Sequence, residues 1–294
     1  MPYLSFGLYC LRTGFRFFKY RPHQQARILE KKKLYFLAGC LYMRLENYIQ
    51  AASCFKAAKA YRQLVQAYEA LGLYSKAIEV AEKLKDYRLG AQLCERIGNH
   101  KKAAYFFSYF KPLYSAKLYK LEGYYYEAGL SYLKAYQFIS AIECFHACSS
   151  LAERAQGLRQ IEEIAVVLYF SHSYEESFRI FFKLKDYFSA LECAKKLREK
   201  KLIESTQLLL AYQEEQMGHY LLAGKYYEPF NPPKALTCYY LGHHIHEALH
   251  LLIEQGAYAK AVNLCIQHNE LAAAYELINT YKIPLEPSLA LTYS

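Results

Sequence analysis

Cut every thirteen residues, positions 48 to 99 read YIQAASCFKAAKA, YRQLVQAYEALGL, YSKAIEVAEKLKD and YRLGAQLCERIGN, and every line opens on tyrosine. The beat set by Tyr48, Tyr61, Tyr74 and Tyr87 runs on through His100 and Leu113 and, after a slip of one residue, through Tyr125 and Phe138. Repetition at a fixed period names an architecture before any one residue is interpreted, because each unit buries its apolar side against a copy of itself. Three residues past the beat stands a small or compact residue (Ala51, Leu64, Ala77, Gly90, Ala103, Ala116, Ala128, Ala141), and seven past it usually a larger apolar one (Phe55, Tyr68, Cys94, Phe107, Tyr132, Phe145). Positions 0, 3 and 7 share one face of an α-helix. Thirteen residues hold a helix of about ten and a short turn, so two units make an antiparallel helical hairpin.

Outward from this stretch, the beat weakens between Ser149 and His172, where Leu158, Ile161, Ile164, Ala165 and Leu168 describe a longer helix, and Leu202 to Gln216 reads as another. It returns at Tyr174, Tyr187, Tyr220, Ile245, Tyr258 and Leu271. Pro229, Pro232 and Pro233 mark a break, and Pro284 and Pro287 close the last helix. With only 13 Gly and 8 Pro and no long β-branched run, nothing requires a strand. The expected fold is all-α, an α-solenoid of stacked antiparallel helical hairpins that packs locally and has no size ceiling. The expected divisions are a basic aromatic segment (1–29), an N-terminal array (30–150), a C-terminal array (151–283) and a tail (284–294).

Gly39 and Tyr42, followed by Tyr48, Ala51, Phe55 and Ala58, resemble the consensus of a tetratricopeptide repeat. Tyr35 stands where that family usually has tryptophan, the usual proline after the second helix is missing, and the next hairpin begins about 26 residues on, where the standard repeat takes about 34. The resemblance is to a compact, degenerate tetratricopeptide-like superhelix over roughly residues 30 to 283. It implies a scaffold for other macromolecules, such as coat proteins, transport-particle subunits and helicase arms use, and names no client.

The 32 Tyr and 17 Phe, with no Trp, read first as packing: large rings on one helix fill the space left by Ala or Gly on the next. The functional alternative is that Tyr105, Tyr109, Tyr124, Tyr126, Tyr226 and Tyr239 line a groove that holds a peptide or stacks on bases. Nine cysteines without a C-x-x-C pair read as small buried apolar side chains in a reducing, cytoplasmic compartment. Cys144, His146 and Cys148 bring at most two convenient metal ligands, and structural zinc takes four.

His246-Glu247-Ala248-Leu249-His250 satisfies the H-E-x-x-H pattern, and Glu270 lies downstream at a spacing similar to that of thermolysin-like zinc peptidases. That resemblance would make His246, His250 and Glu270 the zinc ligands and Glu247 the general base. Against it, Ile245, Ala248 and Leu252 keep the repeat beat through the motif, and both histidines fall on positions held elsewhere by Arg62 and Gln66 or by Ser75 and Glu79, a solvated face. No phosphate-binding glycine loop or nucleophile elbow is present. No catalytic, cofactor or metal residue is assigned, and the chain is not expected to be an enzyme.

The net charge of +10 is concentrated in residues 1 to 33, which carry eight Lys or Arg and one acid; the other 261 residues carry 29 basic and 26 acidic. That near balance argues against a general nucleic-acid groove. Phe15, Phe17, Phe18 and Tyr20 interleave with Arg16, Lys19 and Arg21, which suits a first degenerate repeat or peripheral contact of residues 1–33 with a membrane surface. Met1 to Leu11 is too short to span a bilayer. The expected function is a protein or peptide interaction scaffold, with nucleic-acid binding as part of a larger machine as the alternative.

Overall fold

The computed structural model describes residues 20–283, and among these every regular element is a helix. The first ten are α1 (Pro22–Lys31), α2 (Tyr35–Arg44), α3 (Tyr48–Ala57), α4 (Tyr61–Ala70), α5 (Tyr74–Lys83), α6 (Tyr87–Arg96), α7 (His100–Phe107), α8 (Pro112–Leu121), α9 (Tyr125–Lys134) and α10 (Phe138–Ala147). A longer α11 (Leu151–Phe170) follows, then α12 (Tyr174–Leu184), α13 (Tyr187–Leu197), α14 (Lys200–Gln216), α15 (Tyr220–Tyr227), α16 (Pro232–Leu241), α17 (Ile245–Glu254), α18 (Tyr258–Gln267) and α19 (Leu271–Tyr281).

The thirteen-residue period has a hydrogen-bond origin. Helix α4 ends at Ala70 with Leu71 as its C-cap, Gly72 turns left-handed at φ +69°, and the Leu73 amide donates back to the Tyr68 carbonyl at 2.8 Å while the Gly72 amide donates to the Glu69 carbonyl at 2.9 Å. This is the Schellman closure, which satisfies carbonyls that a helix end leaves without partners. Leu73 is also the N-cap of α5, so ten helical residues and three connecting ones complete the unit. The same bonds recur after α5 (Asp86 to Ala81), α6 (Asn99 to Cys94) and α17 (Ala257 to Leu252).

Burial follows the expected face. Ala51, Ala77, Ala103, Ala116, Ala128 and Ala141 in the first stretch, and Ala190, Ala223, Ala248, Ala261 and Ala274 in the second, are wholly buried. The beat residues themselves are not the core. Tyr48, Tyr74, Tyr87, Tyr125, Tyr174 and Tyr187 open their helices half-buried, Tyr61 is exposed, and the deep rings are Phe55, Phe106, Phe145 and Tyr239. Serine takes the small position in α12, where Ser177 donates to the Ala165 carbonyl at 2.9 Å, and in α8 buried Ser115, next to Ala116, donates to the Ala104 carbonyl at 2.7 Å.

The chain divides into two compact units, Met1–Arg159 and Gln160–Ser294. In the first, α1 to α10 pack each against the next in sequence; in the second, α12 to α19 do the same. This is a solenoid-like arrangement of helical repeats, in which stability is a sum of nearest-neighbour interfaces. The long helices expected in the middle are α11 and α14. Pro232 and Pro233 do more than interrupt: they open α16, where the missing amide hydrogen costs nothing. The expected N-terminal segment is helix α1 from Pro22, with Ala26 and Leu29 buried against α2, while residues 1–19 and the tail 284–294 lie outside the described residues.

Candidate functional site

Two grooves on the first unit set exposed charged side chains beside buried or half-buried apolar ones. In one, α6 presents Arg88, Gln92 and Glu95, spaced four and three apart and so on one helix face. The opposite wall comes from an irregular connection. Helix α7 stops at Phe107, the Lys111 amide donates to the Phe107 carbonyl at 2.7 Å, and Pro112, not Leu113, starts α8; the one-residue slip that the beat placed after Leu113 therefore lies at this turn. Phe107, Phe110, Lys111 and Tyr114 thereby close a groove of about 570 Å³.

Its polar groups are held in place. Phe107 meets Tyr114 edge to face at 4.7 Å, the Arg88 guanidinium lies 5.7 Å from the centre of the Phe110 ring, and the Tyr114 hydroxyl donates to Glu95 at 3.3 Å. Desolvation, and then the Glu95 charge, push the Tyr114 hydroxyl above its ordinary range. The groove thus combines aromatic rings with one guanidinium, one ammonium and one carboxylate, group types that carry energy in protein interfaces generally.

The second groove, about 470 Å³, lies where the end of α3 meets α4 and α5. Leu64, Val80, Leu84, Tyr61 and Tyr68 line it together with Lys56, Lys76, Lys83 and Glu79. The second unit has a smaller hollow of about 250 Å³ between α11, α12 and α13, lined by Val166, Tyr169, Phe170, Phe181 and Phe188 with Ser189 and Glu192.

The candidate aromatic residues have several fates. Tyr105 and Tyr109 are exposed but engaged: Tyr109 stacks on Tyr87 with centroids 3.9 Å apart, and the two hydroxyls lie 3.0 Å from each other. The hydrogen bond to Tyr109, followed by burial, pushes the Tyr105 hydroxyl up to about 12. Lys101 Nζ sits 3.9 Å from the centre of the Tyr124 ring, Tyr126 is half-buried against Phe145, and the Tyr226 carbonyl accepts from Gln207. Tyr239 belongs to no groove: it is wholly buried and donates its hydroxyl to Glu228, and burial raises its pKa far above the ordinary tyrosine range.

His246 and His250 project from the solvent-exposed face of α17, with His250 Nδ1 3.5 Å from Glu254, while Glu270 is the N-cap of α19. Among the described residues no three His, Cys, Asp or Glu side chains are grouped as a metal ion needs, so His246, His250 and Glu270 are not brought together, nor are Cys144, His146 and Cys148 joined by a further ligand. Seven of the described cysteines are buried and Cys40 is half-buried; desolvation raises every one of these thiols, Cys94 to about 11. That is the environment of inert packing thiols.

Sequence averaging concealed one feature. Residues 34–159 carry 17 Lys and Arg against 10 Asp and Glu, a net +7, and residues 160–294 carry 12 against 16, a net −4. The near balance of residues 34–294 is therefore the sum of a basic stretch and a mildly acidic one. No helix among the described residues is long and apolar enough to cross a membrane. No family model matches the chain, and comparison with curated proteins gives no match either.

Proposed function

We propose that this chain is a protein–protein interaction scaffold built from compact tetratricopeptide-like hairpins. The residues that carry the resemblance lie together: Gly39 sits under the Phe55 ring, and Tyr42 and Ala51 share its buried cluster. The observation that carries the functional reading is the groove of Arg88, Glu95, Phe107, Phe110 and Tyr114, where the Tyr114 ring and the two charges stand exposed beside half-buried Phe110 and buried Phe107. Such pre-set aromatic and arginine positions are where binding energy concentrates in protein interfaces. Nucleic-acid binding is the second reading, favoured by the net +7 of residues 34–159.

A photo-crosslinking amino acid in place of Tyr114, compared with one in place of Leu121, tests the assignment. Leu121 is 82 % exposed and lines neither groove. A discrete protein adduct from position 114 that is absent from 121 supports it. Equal labelling at both positions, or adducts only with nucleic acid, contradicts it.

A further inference from the structure

We propose that the groove between α3, α4 and α5 seats an acidic peptide segment with an apolar residue between its carboxylates. This rests on the scaffold reading and names the partner's chemistry. Lys56, Lys76 and Lys83 are exposed and form no ion pair among the described residues, whereas neighbouring charges are matched: Arg62 with Asp86 (3.7 Å), Arg96 with Glu69 (2.7 Å) and Lys102 with Glu82 (3.3 Å). Three unmatched lysines share the lining with one carboxylate, Glu79, which stands between Lys76 and Lys83 on α5, beside an apolar floor of Leu64, Val80 and Leu84.

Spacing sets the pattern of the occupant. On α5, Val80 lies four residues after Lys76 and three before Lys83, about 6 Å and about 4.5 Å along the helix axis at 1.5 Å per residue. An extended peptide advances about 3.3 Å per residue, so a carboxylate at Lys76, an apolar side chain at Val80 and a carboxylate at Lys83 fall about two residues apart. Lys56 supplies a third cation from α3. Tyr61 and Tyr68 could receive a base or an apolar side chain alike, so the choice of a peptide over nucleic acid rests on Glu79, which repels a continuous run of phosphates, and on the aliphatic floor of Leu64, Val80 and Leu84.

The test is fluorescence anisotropy with four short labelled probes: an acidic peptide with central leucines, the same peptide with serine for leucine, the same with glutamine and asparagine for the acids, and a single-stranded oligonucleotide of equal charge. The protein variants are Lys76→Glu with Lys83→Glu, and, as a control with the same charge change in the same unit, Lys117→Glu with Lys120→Glu, all four lysines being exposed. The expected result is binding of the acidic, leucine-bearing peptide that falls at least about tenfold in the groove variant and less than about twofold in the control. Weaker binding of both altered peptides completes it. Equal losses in the two variants, indifference to the leucines, tighter oligonucleotide binding with the same dependence on Lys76 and Lys83, or no peptide binding would each overturn the proposal. A Tyr114 protein adduct obtained alongside such a failure leaves the scaffold standing and removes only this partner.

Discussion

Sixteen described residues have positive φ, and five of them are glycine. The others include Lys59, Lys85, Tyr136 and His243, each held left-handed at a repeat turn at a cost of roughly 1–2 kcal/mol from Cβ crowding. Lys85→Gly relieves that crowding, and part of the gain is offset by the greater freedom of glycine in the unfolded chain. The expected outcome in a denaturant titration is a stabilisation of up to about 1 kcal/mol for Lys85→Gly and a loss of about 1 kcal/mol for Gly98→Ala, whose φ is +69°. This residue scale was partly legible. The beat placed the turns, but Lys59 and Lys85 read as ordinary helix-forming residues, and the sequence carries no mark of the strain that their neighbours impose. Tyr239 was misplaced for a similar reason: a tyrosine looks the same whether its hydroxyl meets water or Glu228.

Among the elements, hairpins are closed by a glycine on one helix and a ring on the next. A Cβ at Gly39 would stand 2.7 Å from Phe55, and one at Gly90 would stand 2.9 Å from Phe106. Gly129 and Gly157 both press on Phe145, and Gly224 on Tyr239. The glycine precedes its ring by 16 residues in the first three hairpins and by 15 in the fourth, so the pairing is a repeat feature that sequence periodicity suggested only as rings over small residues. Overfilling such a contact costs about 1–3 kcal/mol. Gly129→Ala is therefore expected to lower the melting temperature by several degrees, and Gly129→Ala combined with Phe145→Leu to recover part of the loss; additive losses would show that the two residues do not share one contact. The irregular α7–α8 connection shows the limit of this scale. Its one-residue slip was visible, but that the slip opens a groove lined by Phe110 and Tyr114 depends on packing across three helices.

Over the whole molecule, two properties are shared by many residues. One is alkaline sensitivity. Burial raises the buried thiols above their ordinary 9.0, Cys94 to about 11, and raises Tyr119 from 10.0 to about 12. Because each folded pKa lies above its unfolded value, the stabilisation is complete below about pH 9 and is lost as pH rises through 9 to 12. The melting temperature is expected to be flat near neutrality and to fall steeply over that range, with a shallower fall between 9 and 11 for Cys94→Ala. The other property is charge segregation, a basic stretch followed in sequence by a mildly acidic one, which a net charge taken over the entire repeat region cannot reveal. The all-α repeat was legible because the period records helix plus turn; which side chains stand unmatched in a groove was not, because Lys76 and Lys102 look alike until Glu82 is found beside only one of them.

The central claim is that the exposed rings and lysines of the first unit receive protein. Affinity purification of the tagged chain from its native cells, with and without nuclease and side by side with a variant carrying Phe110→Ser and Tyr114→Ser, tests it most directly. The expected result is a defined set of protein partners that survives nuclease and is depleted in the variant. Partners that vanish on nuclease treatment, or that bind the variant equally well, would contradict it.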